Sequence, residues 1–232
     1  MRKKEILLVY QMGKVGSDSI VKNLSVKALH LHTLYGCNPN SKYLNASHSI
    51  RTKINKYFYF WNLRRKIRAY SKIKIITCFR PLSERDPSMF FHDLDGYIHK
   101  YRTESSKNYF EFNSGGVEIL KDLYYQKYDF EYGLNWIGNE LSRFTGIRFL
   151  EKNKARFYST RNYEVLVLNT NEIDSCGELI AEFSGGVFTL GRSNASSEKW
   201  HAPIYDEFKK DLNYEYKSSN IACWIESKVQ GN

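Results

Sequence analysis

Four short apolar runs punctuate this chain, at residues 5–10, 28–34, 73–79 and 164–168, and each ends in a polar or glycine-containing turn. Their length suits buried strands. Between them lie longer segments with apolar residues at helical spacing, residues 19–26, 49–70, 85–100, 117–128 and 134–144. A last helix is predicted at about residues 202–212, where Ile204, Tyr205, Phe208 and Leu212 recur on one face. Strands alternating with helices predict an α/β fold, a mostly parallel central sheet flanked by helices, because parallel neighbours need a crossover and a helix is the usual one. No stretch rich in Pro, Gly or Ser is long enough to link two units and no segment repeats, so residues 1–232 are read as a single domain.

Thirty-five Lys and Arg against 25 Asp and Glu leave a net charge of +10. That points to an anionic partner without naming it: nucleic acid, nucleotide, acidic glycan and anionic lipid all qualify. With 42% hydrophobic and 26% charged residues the chain is neither disordered nor membrane-embedded. The four cysteines, Cys37, Cys78, Cys176 and Cys223, contain no C-x-x-C pair. Neither a zinc site nor a disulfide framework is predicted, and a reducing compartment fits best. The apolar run that follows the charged residues 1–4 covers only residues 6–9, too short for a signal peptide or a membrane span. A cytoplasmic protein is the expectation, and the sequons at Asn23, Asn45 and Asn194 then carry no glycan.

Residues 49–74 hold Arg51, Lys53, Lys56, Arg64, Arg65, Lys66, Arg68, Lys72 and Lys74 with no acidic residue, interleaved with Tyr57, Phe58, Tyr59, Phe60 and Trp61. One reading is a helix with its aromatic face in the core and a solvated basic face. The other is a platform for an acidic acceptor or for the inner face of a membrane. Nucleic-acid binding rests on net charge alone, with no recognisable motif, and is not expected.

The first strand runs into Gln11-Met12-Gly13-Lys14-Val15-Gly16-Ser17-Asp18-Ser19-Ile20, where a helix begins. Glycines let the backbone approach a ligand, amides at a helix start favour an oxyanion, and Lys14 adds a full charge. This is a phosphate or sulfate cradle, or a structural connector. It lacks the GxxxxGK[ST] spacing of a Walker A loop, which disfavours a nucleotide-dependent kinase. The third strand ends at Arg80 and continues Pro81-Leu82-Ser83-Glu84-Arg85-Asp86-Pro87-Ser88-Met89-Phe90-Phe91. Arg80 at the strand end and Ser88 in the next helix can converge on one phosphate.

On these residues the chain resembles the sulfotransferases that use 3'-phosphoadenosine 5'-phosphosulfate (PAPS). Residues 11–20 are similar to the family's 5'-phosphosulfate loop, K-x-G-S-[ST]-S, and Arg80, Arg85, Ser88, Phe90 and Phe91 fall in register with its 3'-phosphate element. A third block, Asn194 to Trp200 with Tyr205 to Lys209, resembles the N-x-x-x-x-K-W-Y block of a bacterial branch assigned to capsular polysaccharide synthesis. The three blocks span residues 5–212 in the family's order. The resemblance implies a P-loop-like sulfotransferase fold and transfer of a sulfuryl group from PAPS to a hydroxyl of a glycan or lipid-linked saccharide, with no metal required. It implies a cofactor site of Gly13, Lys14, Gly16, Ser17, Asp18, Ser19, Arg80 and Ser88, closed by Arg192 or Lys199.

Between the first two blocks, His30 and His32 alternate on the second strand and so share a face. Relatives that sulfate uronic acids carry a similar H-x-H and use a histidine there as base. The alternatives are two satisfied histidines at a sheet edge or a metal pair, the latter without a third ligand nearby. Catalysis would then rest on His32 or His30 as base and on Lys14 at the leaving oxygen.

The chain departs from the family pattern in two places. Asp18 stands where a hydroxyl residue is usual; at ~5 Å from a bound phosphosulfate and an effective dielectric near 20 it costs roughly 3 kcal/mol. Pro81 and Leu82 replace an acidic-Pro pair. Asp18 motivates a second reading, a non-catalytic relative that binds an acidic glycan in capsule assembly. Residues 166–172 resemble the family's late strand, with Asn169 and Asn171 where acids are usual and Glu172 read as structural.

Overall fold

The computed structural model describes residues 3–36, 43, 49–105, 114–149, 156–189, 191, 201–210 and 212. In chain order the elements are β1 (Lys3–Tyr10), α1 (Ser17–Asn23), β2 (Leu29–Leu31), α2 (Ile50–Arg68), β3 (Tyr70–Phe79), α3 (Leu82–His92), α4 (Leu94–Ser105), α5 (Ser114–Lys127) and α6 (Glu131–Trp136). Helix α6 passes through a π-helical turn (Ile137–Ser142) into α7 (Arg143–Thr145). Then come β4 (Phe157–Ser159), β5 (Tyr163–Asn169), a 3-10 turn (Thr170–Glu172), α8 (Gly177–Ser184) and α9 (Ala202–Lys210).

The sheet order is β2-β1-β3-β5-β4, parallel throughout except for β4, which runs antiparallel on β5. The interior strands are buried on both faces, from Leu7 to Tyr10, from Ile75 to Phe79 and from Val165 to Asn169, which is why their sequences read as continuous apolar runs. From β1 the chain turns one way to β2, and from β2 it crosses back to β3 on the other side of β1. The direction of winding therefore reverses between β1 and β3, and the loops after those two strands flank a crevice at the carboxyl edge of the sheet. Open α/β sheets bind ligands at such a switch point.

The apolar core forms two clusters. One packs the sheet against α1, α8 and the α6–α7 rod; the other gathers Phe90, Tyr97, Leu120, Tyr124 and Phe208 from α3, α4, α5 and α9. Helix α3 serves both, with Leu82 in the first and Phe90 and Phe91 in the second.

Several boundaries differ from the sequence expectation, each for a local reason. The helix expected over residues 85–100 is two helices, because Asp93 leaves helical geometry and its carbonyl accepts from the Gly96 and Tyr97 amides to open α4. The strand expected over residues 28–34 stops at Leu31, since the Leu34 and Tyr35 amides bond to a carboxylate, Glu140, instead of to a strand. Residues 134–144 are helical but include the π turn. Strand β4 and helix α8 were not anticipated.

Of the two readings of residues 49–74, the one with the aromatic face in the core does not hold. Along α2 only Ile67 is buried; Phe60 leans on Gly36 and Leu63 is half-buried, while Tyr57, Phe58, Tyr59 and Trp61 are exposed. Cys78 and Cys176 are buried free thiols, and Cys37 and Cys223 lie outside the described residues. Among the described residues no helix is long and apolar enough to cross a membrane.

Candidate functional site

The loop after β1 is held from three sides. Gln11, fully buried, accepts the Cys78 amide on its side-chain oxygen at 3.0 Å and so ties the end of β1 to β3. Thr170, just past β5, lies with its hydroxyl 3.2 Å from the Val15 carbonyl and 2.9 Å from that of Phe79. The guanidinium of Arg85 donates from Nε to the Gly13 carbonyl at 3.2 Å. Lys14 adopts φ 67, a left-handed conformation that costs a non-glycine residue about 1 kcal/mol and persists only when the surroundings impose it. Gly16, at φ 80, precedes Ser17 as the N-cap of α1, and a Cβ there would sit 3.1 Å from Ile173. Gly13 admits α3, whose Met89 sulfur lies 3.5 Å from the place a Cβ would take.

Arg85 is more than a pattern residue. It is completely buried, donates to Asp86 and, at 3.1 Å, to the Tyr128 hydroxyl, which in turn donates to Asp86 at 3.0 Å. Burial alone favours the neutral guanidine, but Tyr128, Asp86 and Tyr132 more than reverse this and keep the charge. Sealed from solvent, Arg85 anchors the loop, and its Nη2 has no hydrogen-bond partner among the described residues.

Arg80 directly follows β3, on the same edge as the loop. Its Nε donates to Glu84 at 2.9 Å. Ser88, two turns along α3, stands near Tyr205 of α9, and Tyr205 also lies in the field of Arg80 and Glu84. Burial, with Glu84 and Asp206, raises the Tyr205 phenol above its ordinary pKa against the opposing pull of Arg80 and Ser88, so its hydroxyl stays protonated. Arg80, Ser88 and Tyr205 thus gather into one polar group, with Glu84 as a carboxylate already on Arg80.

His30 and His32 share a face as their spacing required, with ring centroids 4.5 Å apart. His32 Nδ1 lies 3.2 Å from the Gln11 carbonyl, which only accepts, so Nδ1 is the donor in this contact and Nε2 is the nitrogen left to other partners. The His32 carbonyl accepts from Trp136 Nε1 at 3.0 Å. His30 Nδ1 stands 3.9 Å from the Asp18 carboxylate, and His30 Nε2 is buried without a hydrogen-bond partner among the described residues. The reading of two satisfied edge histidines therefore does not hold for His30. Burial and His32 pull its imidazole below the ordinary 6.5, against Asp18.

Just beyond the histidines, Glu140 of the π turn accepts from the Tyr10 hydroxyl, the Thr33 hydroxyl at 2.6 Å and the Leu34 amide at 2.7 Å. Sequence reasoning missed it, although a carboxylate on the apolar face shared by Trp136, Ile137, Leu141 and Phe144 is a readable signal. Tyr35 lies between two guanidinium groups, Arg64 at 4.5 Å and Arg143 at 4.1 Å from its ring, so this end of the edge is cationic.

Gly13, Lys14, Gly16, Ser17, Asp18, Ser19, Arg80, His30 and His32 all stand at the carboxyl edge of the sheet, and Ser88 stands on the helix that packs over the loop. Arg192 and Lys199 lie outside the described residues. Glu172 pairs with Arg156 at 3.1 Å, a structural contact. Among the described residues no group of three His, Cys, Asp or Glu side chains is arranged to hold a metal. Comparison with models of protein families, with curated proteins and with solved structures finds no match.

Proposed function

We propose that this chain is a PAPS-dependent sulfotransferase with a P-loop-like fold, acting on a hydroxyl of an acidic glycan or of its lipid-linked precursor, in a bacterial surface-polysaccharide setting. The observation that carries the reading is that a strained glycine–lysine loop, Arg80 and a histidine whose Nδ1 is held by a backbone carbonyl stand at one edge of the sheet. Lys14 and the loop backbone suit a 5'-phosphosulfate; Arg80 and Ser88 suit a 3'-phosphate, and Tyr205 adds a protonated hydroxyl there.

The reaction needs little covalent help. The acceptor oxygen attacks sulfur in line, its proton passes to His32 Nε2, the bond between sulfur and the bridging oxygen breaks, and adenosine 3',5'-bisphosphate leaves with the charge. Lys14 stabilises that charge as it develops. Because Nδ1 of His32 is committed to the Gln11 carbonyl, its other nitrogen is the base. Arg64 and Arg143 around Tyr35 favour an acidic acceptor on the histidine side.

Calorimetric titration with adenosine 3',5'-bisphosphate tests the donor site, with saturable heat expected for the wild type and tighter binding for Asp18→Thr. Absence of binding to both overturns the proposal. One pair of observations favours the second reading, a non-catalytic glycan-binding module: Asp18 faces His30, and Glu84 already occupies Arg80. That reading expects thermal stabilisation by acidic oligosaccharides and none by the nucleotide.

A further inference from the structure

The crossover helix α2 does something a crossover need not do. Phe60 packs on Gly36 and Arg64 donates to the Leu34 carbonyl, so these residues are level with the chain just past the end of β2. The helix runs toward β3 from the carboxyl edge, and the ten residues before Phe60 add about 15 Å at 1.5 Å each. They extend beyond the edge of the sheet, and residues 53–59 are accordingly exposed on every side of the helix.

This projecting half is not polar. Ile50, Ile54, Tyr57, Phe58 and Trp61 fall at i, i+4, i+7, i+8 and i+11, one stripe of the helix, with exposures of 76%, 49%, 63%, 56% and 43%. The apolar face that serves the core is a different one, through Phe60, Leu63 and Ile67. Beside the exposed stripe stand Arg51, Lys53 and Arg65, the last over the Trp61 ring at 5.7 Å, and residues 49–74 contain no acidic side chain to oppose them.

We propose that the projecting half of α2 seats the chain on an anionic lipid surface. An exposed stripe of isoleucine and aromatics gains free energy only where hydrocarbon can receive it, and a ring of lysine and arginine gains it only against negative charge; a bilayer rich in acidic lipids offers both at the same depth. Phosphodiester backbones and acidic sugars satisfy the cations but leave Ile50 and Ile54 in water. A second copy satisfies the stripe but opposes like charges across the contact. The seating stands on α2 alone. Its consequence, that the crevice faces the headgroups where a lipid-linked saccharide presents its hydroxyl, rests on the reading proposed above.

The test is sedimentation of the full chain with phosphatidylcholine vesicles, with and without about one third phosphatidylglycerol. Binding is expected to the acidic vesicles, weakened by high salt, and not to the neutral ones. Replacing Ile54, Phe58 and Trp61 together by Ser should reduce affinity by about a hundredfold or more, and Arg51→Ala with Lys53→Ala by roughly twenty-five-fold, about fivefold per cation. Thermal unfolding should be unchanged in both, because these side chains are exposed. The proposal is overturned if acidic vesicles fail to bind at low salt, if the triple Ser variant binds as well as the wild type, or if the stripe is instead buried in a dimer that the triple Ser variant dissociates. None of these outcomes depends on nucleotide, so a failed nucleotide titration is distinguishable from a failed seating.

Discussion

His32 and His30 are neighbours on one strand, yet their surroundings assign them different work. His32 has one nitrogen tied to a backbone carbonyl and the other available, whereas the Nε2 of His30 is buried and its imidazole is disfavoured as a cation. His32→Ala is expected to lower the transfer rate by about 10²–10⁴-fold with donor binding intact, and His30→Ala by much less, read from single-turnover rates. Equal losses would refute the assignment. Because the folded state lowers the His30 pKa, the unfolded chain binds more protons below about pH 6.5. This contribution to stability is intact above that pH and is lost as pH falls toward the folded-state value. Denaturant midpoints measured across that window should decline with acid, and less so in His30→Gln.

Arg85 shows another case, a charge held in the interior by its neighbours. Arg85→Met leaves Asp86 buried without its cation and should cost about 3–5 kcal/mol, while Arg85→Met with Asp86→Leu should recover much of that. Denaturant unfolding of the two variants decides it, and no recovery in the double variant would mean that the pair matters chiefly through Gly13.

At the scale of elements, the loop after β1 and the π turn each turn local geometry into placement. Gly16→Ala puts a Cβ into a left-handed residue and against Ile173, so a loss of about 1–2 kcal/mol is expected together with weaker nucleotide binding. Unchanged binding in a folded Gly16→Ala would argue that the loop is only a connector. Glu140 fixes the chain just after His32 by accepting from one tyrosine, one threonine and successive amides. Removing half of that acceptor capacity in Glu140→Gln should destabilise by about 2–3 kcal/mol, measured by thermal unfolding. Glu140 is buried within the π turn, on an otherwise apolar face, and such irregular turns often mark functional regions.

Over the whole molecule, the sheet core and the helical cluster share α3, so unfolding one exposes the other. Calorimetry should therefore give a single transition, and Phe90→Ala, which empties the centre of the helical cluster, should lower it by about 3–5 kcal/mol without splitting it. Two transitions would mean two units rather than one.

What was legible in advance follows from what is local. Strands β1, β3 and β5 were readable because an interior parallel strand is apolar on both faces, and the final helix because Ile204, Tyr205 and Phe208 repeat at helical spacing. The glycine loop, Arg80 and the alternating histidines were readable because each is a short pattern at the end of such a run. Strand β2 was overextended and the inner face of α2 left undecided because both depend on contacts the pattern does not contain. Glu140 takes the Leu34 and Tyr35 amides from more than a hundred residues away, and the body ends beside Phe60.

By itself, then, the sequence determined the α/β alternation, the basic charge and the kinds of turn that close each strand, since these are set by neighbours along the chain. Tertiary structure alone decided that the loop after β1, Arg80 and the two histidines share one edge, that Arg85 is sealed from solvent, and that half of α2 stands outside the core. Those outcomes depend on strand order and on packing between residues far apart in sequence, as with Tyr10 and Glu140, 130 positions apart, and hydrophobic periodicity carries no record of which distant element will be the neighbour.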